Sequence, residues 1–424
     1  MKTLIANALI IPMDREGHFV VGDIGLDGPA IAFVGKKDPS FTADRVIDAQ
    51  GYIALPSLYN SHTHLAMGLM RNYKDNEPTL QAWLNEIFPI ENKLVPEDIL
   101  VSSRIGIIEA LQSGTGFFHD MYFKAEATVQ AVKESGMRAK PGLTLFGDLA
   151  DSQERLKRWD AKVLPLIDDP ITYSIAPHAV YTCSKETLRF AHDAAKERGV
   201  PLHIHLSETE KENSDCLFEH RKTPLQHLID LNFFDDVFAF LAHCVHLSEE
   251  DRKLLKDLPA AVVHNPSSNL KLSSGIAPVA TYLEQGIPVL LGTDGASSNN
   301  NLNLIEEMHL AALLGRLSSK DGLPLKPYQV LEMATSSAAK AFGIKGGMLQ
   351  AGFESDLILI NTKKAHLAPL NDPFSALVYS VQGSDVEYLF SRGELLLEKG
   401  QPTRFDLPSS IEAINDAWAD IKQR

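Results

Sequence analysis

IALPSLYNSHTH, residues 53–64, decides how the rest of the chain is read. The apolar run 53–60 has the length of a strand and leads into His62 and His64. Alternate residues of a strand face the same side, so the two imidazoles project together. Taken alone an HxH pair is weak, because such pairs arise often by chance. Seven further apolar runs follow, at 115–121, 138–145, 171–177, 201–206, 237–243, 260–264 and 288–293. Helical stretches such as PEDILVSSRIGIIEALQSG and SKETLRFAHDAAKERG separate them. Strand alternating with helix implies parallel βα units, and eight such units point to an α/β fold closed into a TIM (β/α)8 barrel.

The ends of these runs carry the chemistry. His62 and His64, His119 and Asp120, His178, His205 and Glu208, His243, His264, and Asp294 each sit at or just past the end of a run, and only 138–145 lacks such a residue. In a barrel all the C-terminal strand ends face one site. Core histidines placed at random would not gather there.

The flanks have another texture. TLIANALIIPM, GHFVVGDIGLDG, AIAFVGK and RVIDAQGY read as short strands between turns, and SDLILINTKK and EYLFSRGELLLEKGQPT resume the pattern near the C-terminus. The two ends are expected to pair into a small β-sandwich, with 1–57 as its first part, 58–350 as the barrel, and 351–424 as its second part with a C-terminal helix.

Composition bounds the function. The 424 residues are 44% apolar and 22% charged, a globular profile with room for a large core. A net charge of -15 argues against nucleic acid, which needs clustered Lys and Arg. Cys183, Cys216 and Cys244 are far apart, odd in number and without a CxxC spacing, which fits a reduced cytoplasmic setting. The N-terminal apolar run is broken by Pro12 and Asp14 and reads as a strand, not a signal peptide, and no stretch is long enough for a membrane span. A homo-oligomer is the default expectation for a chain of this size.

His62 and His64 on the first strand, His205 on the fifth and Asp294 on the eighth make a first shell of three imidazoles and one carboxylate, suited to one zinc ion per subunit with a position open for water. Iron or manganese suits the same donors. Some barrel metalloenzymes hold two metals bridged by a modified lysine on the fourth strand, and ITYSIAPH has no lysine, which favours a single metal. Zinc brings the pKa of bound water toward ~7. Glu208, three residues past His205, is placed to move protons between that water and a bound heterocycle, and His243 to polarise or orient the water.

NSHTHL, HIHLSET, AHCVHL, HNPSSNLKLSSGIAPV and LGTDGASSNN together resemble the amidohydrolase superfamily, and within it the branch of methylthioadenosine and S-adenosylhomocysteine deaminases. The resemblance runs over nearly the whole chain. It implies hydrolytic loss of ammonia from a purine nucleoside, with Glu208 as proton shuttle, His243 helping to activate water, and Asp294 both ligand and proton acceptor. It further implies that Glu91, in FPIENKL, holds the ribose hydroxyls and that His178, in APHAVYTCS, contacts the purine ring. Trp83 would close over the adenine or the 5′ group, although plain packing suits it as well.

One departure bears on substrate. The branch places an arginine just after the third strand to hold the homocysteine carboxylate, where this chain has Leu143, Thr144, Leu145 and Phe146. Arg155 matches a second such arginine across a loosely aligned loop. Losing one cationic partner favours 5′-methylthioadenosine, 5′-deoxyadenosine or adenosine over S-adenosylhomocysteine. Two rival readings stand beside this one: a deaminase or chlorohydrolase of another ring (guanine, cytosine, an s-triazine), and a catalytically silent metal-binding relative. A ribose-binding Glu91 speaks against the first, and Glu208 against the second, since a structural zinc needs no proton carrier.

Overall fold

The computed structural model describes residues 1–36, 38–319 and 325–424. Eight parallel strands form its centre: Leu58–His64, Thr115–Tyr122, Arg138–Leu145, Ser174–Pro177, Leu202–Leu206, Ala239–His243, Ala260–His264, and an eighth in two pieces, Val289–Leu291 and Asp294–Gly295. Each pairs with the next in sequence order. The second piece of the eighth returns to the first strand through Asp294↔Thr63 and Gly295↔His64, so the sheet closes into a barrel.

The closure depends on a glycine. A Cβ on Gly292 would stand 2.5 Å from Asn265 Oδ1 and 2.8 Å from the His62 carbonyl. Only glycine lets the eighth strand approach there, and Thr293 N then donates to His62 O at 3.1 Å.

Side-chain alternation sorts the barrel wall. Leu202, Ile204 and Leu206 face outward into the large core under the helices, while His203 and His205 face inward. Tyr59, Phe117, Phe240, Val263 and Leu290 form a separate apolar cluster with Phe342 nearby. The surrounding helices are capped as their sequences require. Ser184 accepts from Thr187 N ahead of Lys185–Arg198, which stops at Gly199 with φ 63°.

The chain ends build the second sheet. Lys2–Ile10, Val20–Asp27, Ala30–Gly35, Arg45–Asp48 and Tyr52–Pro56 combine with Leu357–Asn361, Val386–Ser391, Glu394–Glu398 and Gln401–Pro402. The sheet folds over on itself: Ala30 pairs with Glu354, Ile31 N donates to Phe353 O, and Ile24, Leu26 and Ile31 share one core with Leu357, Leu359 and Phe390. The protein is thus a TIM barrel beside a small β-domain made from both termini.

The run 53–60 proves to be two strands. Tyr52–Pro56 pairs antiparallel with Leu357–Asn361 in the terminal sheet, and Leu58–His64 begins the barrel. Ser57 is the crossing point, its N–H donating to Asp356 O. Both halves are buried, so hydrophobicity alone carries no mark of the change. Other runs begin later than their apolar stretch suggests, as at Ser174 and Ala239.

Candidate active site

Donor atoms converge at the C-terminal mouth of the barrel. One donor each from His62, His205, His243 and Asp294 lies within 4.8 Å of all the others. His64 joins them: its Nε2 is 3.1 Å from Asp294 Oδ1, and His205 Nε2 is 3.3 Å from His64 Nε2. His62 Nε2 is 3.2 Å from the same Asp294 oxygen. Yet His62 Nε2 and Asp294 Oδ1 are buried atoms without a hydrogen-bond partner among the described residues. Atoms this close that do not bond each other are aimed at a common point, and orphaned buried polar atoms are otherwise rare. Imidazoles and a carboxylate so arranged fit a zinc-like cation.

The outer side of each donor is held. His62 Nδ1 is 2.8 Å from His203 Nε2, and His243 Nδ1 donates to Asn269 Oδ1 at 2.8 Å. His64 Nδ1 donates to the Met121 carbonyl, and His205 Nδ1 to the His178 carbonyl at 2.7 Å. Asp294 Oδ2 accepts from Ser268 Oγ at 2.6 Å and Ser298 Oγ at 2.7 Å. Such contacts fix ring orientation and leave the inner atoms free. The backbone contributes as well. Asp294 (φ 59°) and His243 (φ 73°) both adopt the left-handed region, and the pairing of the first strand with the second slips between Asn60 and Thr63, beside His62. Left-handed residues and bulges at strand ends re-aim side chains where an extended strand could not.

Charge follows this geometry. Burial alone would push the Asp294 carboxyl up, but the His62 and His64 rings overcome it and hold it well below the usual range. Burial likewise opposes protonation of His64, and Asp294 outweighs it, lifting that ring to about 9. Burial dominates at His62, which falls to about 4.

Glu208 stands beside the cluster, buried, with Oε1 accepting from Ser274 Oγ at 3.0 Å and Oε2 3.8 Å from His243 Nε2. Burial raises its pKa, which suits a carboxyl that must hold a proton near neutrality. Its backbone is fastened by Glu212, whose carboxylate accepts from Ser207 N at 3.0 Å and Glu208 N at 2.8 Å.

A cavity opens over the cluster, with His64, His205, Glu208, His243 and Asp294 on its floor. Its roof is the helix Leu80–Glu91, which contributes Trp83 and Glu91. Glu91 Oε1 accepts from Tyr122 Oη at 2.7 Å, and burial raises that carboxyl to about 7. His178 lies under Phe146, ring centroids 4.3 Å apart, and burial lowers it to about 3.

The site residues expected from sequence thus line one cavity, except His62, which is buried behind it with its donor atom in the cluster, and Arg155. That side chain lies in an adjoining outer cleft, its Nε 2.7 Å from Asp151 Oδ2. Sequence reasoning passed over several others. His203 shares an alternation face with His205, which was a usable signal. Ser268 and Ser298 lie inside quoted motifs. Asn269 lies inside one as well, Phe146 was noted only as one of four residues standing where the branch has an arginine, and Tyr122 and Glu212 had no signal of their own. The three cysteines are free and buried, and among the described residues no helix is long and apolar enough to cross a membrane.

A closed barrel with imidazoles, a carboxylate and a raised glutamate at its C-terminal mouth defines a hydrolase of the metal-site type. The amidohydrolase family model matches residues 53–396, and the chain belongs to that family. It is 39% identical over 419 residues to a 5-methylthioadenosine/S-adenosylhomocysteine deaminase of Caldanaerobacter subterraneus subsp. tengcongensis, covering 96% of this chain and 95% of the relative. A 5′-deoxyadenosine deaminase of Methanosarcina mazei is 40% identical over 433 residues, covering 99% and 98%. The crystal structure of an adenosine deaminase from Xanthomonas campestris with bound zinc superposes with a TM-score of 0.95 at 27% identity, covering 100% of this chain and 99% of that one. The protein is therefore a hydrolase acting on C–N bonds of cyclic amidines.

Proposed function

We propose that this protein removes the 6-amino group of adenine nucleosides by hydrolysis, using a single zinc held by His62, His64, His205 and Asp294. The convergence of His64, His205 and Asp294 with Glu208 and Glu91 in one cavity, with His62 buried directly behind them against Asp294, carries this reading. The buried, unpartnered His62 Nε2 and Asp294 Oδ1 support the metal assignment, and the same donors would accept iron or manganese. When bound, the ion supplies the Lewis acidity that makes water a competent nucleophile near neutral pH.

The chain's own groups do the rest. Glu208 takes a proton from the water and delivers it to N1 of the purine, making C6 electrophilic. His243, fixed by Asn269, orients the water, and Asp294 accepts its remaining proton. The water oxygen bonds to C6, Asp294 passes the proton it holds to the amino nitrogen, and the C6–N bond breaks so that ammonia leaves and the inosine analogue, with C6=O and N1–H, remains. Glu91 accepts from the ribose hydroxyls, His178 contacts the purine, Trp83 closes the roof, and Arg155 meets a 5′ substituent long enough to reach the outer cleft. The favoured 5′ groups are short: methylthio, hydrogen or hydroxyl.

Ammonia release by the zinc-loaded protein from adenosine, 5′-deoxyadenosine, 5′-methylthioadenosine and S-adenosylhomocysteine tests the proposal. Turnover is expected with the first three. Silence with all four, alongside turnover of guanine or a triazine, sinks it.

A further inference from the structure

Phe146 belongs to two hollows at once. Its ring closes one side of the cavity that holds Glu91 and His178, and it also walls the outer cleft that runs past Lys124, Arg155 and Arg158. Phe123 is shared in the same way, and Phe88, Glu91, Tyr122 and Thr144 border both hollows as well. Together they make a partition. Phe146 stacks on His178 with 27° between the ring planes and lies 5.4 Å from Phe123, centroid to centroid. On the outer side the Arg155 guanidinium carbon is 5.8 Å from the Phe146 centroid and 5.7 Å from that of Phe123, covering both rings.

The two sides differ in chemistry. The inner face of the partition is aromatic and continues into Met121. The outer cleft carries charges of both signs in pairs: Arg155 with Asp151 at 2.7 Å, and Arg158 with Glu126 at 2.7 Å. An ammonium and a carboxylate pressed against the inner rings would lose hydration and gain no hydrogen bond. The same two groups in the outer cleft would meet partners of opposite sign.

We propose that Phe146 is the specificity-determining residue of this site. It ends the inner cavity at a short, uncharged 5′ substituent and separates it from a cleft able to hold the amino-acid end of a longer one. The proposal rests on the adenine-nucleoside reading of the cavity, and the experiment separates the two.

Ammonia release is followed along a series on the unaltered protein: 5′-deoxyadenosine, 5′-methylthioadenosine, 5′-butylthioadenosine and S-adenosylhomocysteine. kcat/KM is expected to fall by about tenfold or more beyond the methylthio member. In Phe146→Ala the ratio of S-adenosylhomocysteine to methylthioadenosine turnover should rise by about tenfold or more, and Arg155→Met in that background should remove the gain. A flat series in the unaltered protein overturns the proposal, and so does an unchanged ratio in a Phe146→Ala protein that keeps a cooperative melt. Should that variant not fold, the series alone decides. If every member turns over equally, only the partition fails. If none releases ammonia, the nucleoside reading fails and takes the partition with it.

Discussion

His203 Nε2 lies 2.8 Å from His62 Nδ1, deep in the barrel under the metal-site cluster, where both rings are inaccessible to solvent. Only one of two facing imidazole nitrogens can carry the proton. If His62 presents Nε2 to a cation, its Nδ1 must be the donor and His203 must accept as the neutral ring. Burial favours that state, since it holds His203 well below its ordinary pKa. The ring is further fixed by stacking on His119 at 3.9 Å. His203→Phe keeps the shape and removes the acceptor. Zinc affinity, measured by competition with a chromophoric chelator, should fall ~10–100-fold, and His203→Gln, whose amide oxygen can accept, should recover part of it. Equal affinity in the Phe variant and the unaltered protein defeats the assignment.

Glu208 makes a separable contribution. Its carboxyl sits beside the cluster but is not among the proposed ligands, so Glu208→Gln should keep its metal while losing proton transfer. kcat should drop by ~10²–10⁴-fold. Metal content by atomic absorption and turnover by ammonia release, measured on one preparation, decide it. Loss of both together would make Glu208 a structural residue.

Glu91 predicts a pH dependence of binding. Its carboxyl is raised to about 7, with burial the main cause and the Tyr122 hydrogen bond opposing it. Above that pH it is ionised and accepts from both ribose hydroxyls, and below it the group is protonated and loses acceptor capacity. KM for a nucleoside should therefore rise as pH falls through about 7. Glu91→Gln should have a high KM that no longer changes there. A KM for the unaltered protein that stays constant from pH 8 to pH 6 would remove Glu91 from the ribose site. Glu91→Ala activity equal to the unaltered protein's on nucleosides would do the same.

Much of this site was legible in the sequence, because strand periodicity and the shared polarity of barrel strands turn scattered residues into one cluster. His62, His64, His205 and Asp294 needed only those two rules. The contact beneath the mouth was not legible. His203 and His205 share a face and strand direction puts His205 nearer the mouth, but nothing in HIH says that His203 meets His62 from below. The break of the run 53–60 into two strands at Ser57 was hidden because both strands are buried, although the flank was divided from the barrel between 57 and 58. Phe146 was legible only as one of four residues standing where the branch has an arginine. It follows the one strand without a terminal His, Asp or Glu, and its place between two hollows exists only once the loop beyond it has folded.

Ser268 and Ser298 extend the reasoning to the carboxylate. Ser268 comes from the short helix Pro266–Lys271 after the seventh strand and Ser298 from the turn after the eighth, and both donate to Asp294 Oδ2, leaving Oδ1 toward His62 and His64. Two donors on one oxygen stop the carboxylate from rotating about its terminal bond and keep it ionised. With either serine replaced by alanine the other still holds that oxygen, so each single variant should lose only about tenfold in zinc affinity. Removing both frees the rotation, and the double variant should lose more than the product of the two single losses, because residues sharing one partner do not act independently. Chelator competition on the four proteins gives this coupling directly. A double variant whose affinity equals that product would mean that the backbone turn at Asp294, with φ 59°, orients the carboxylate without the serines.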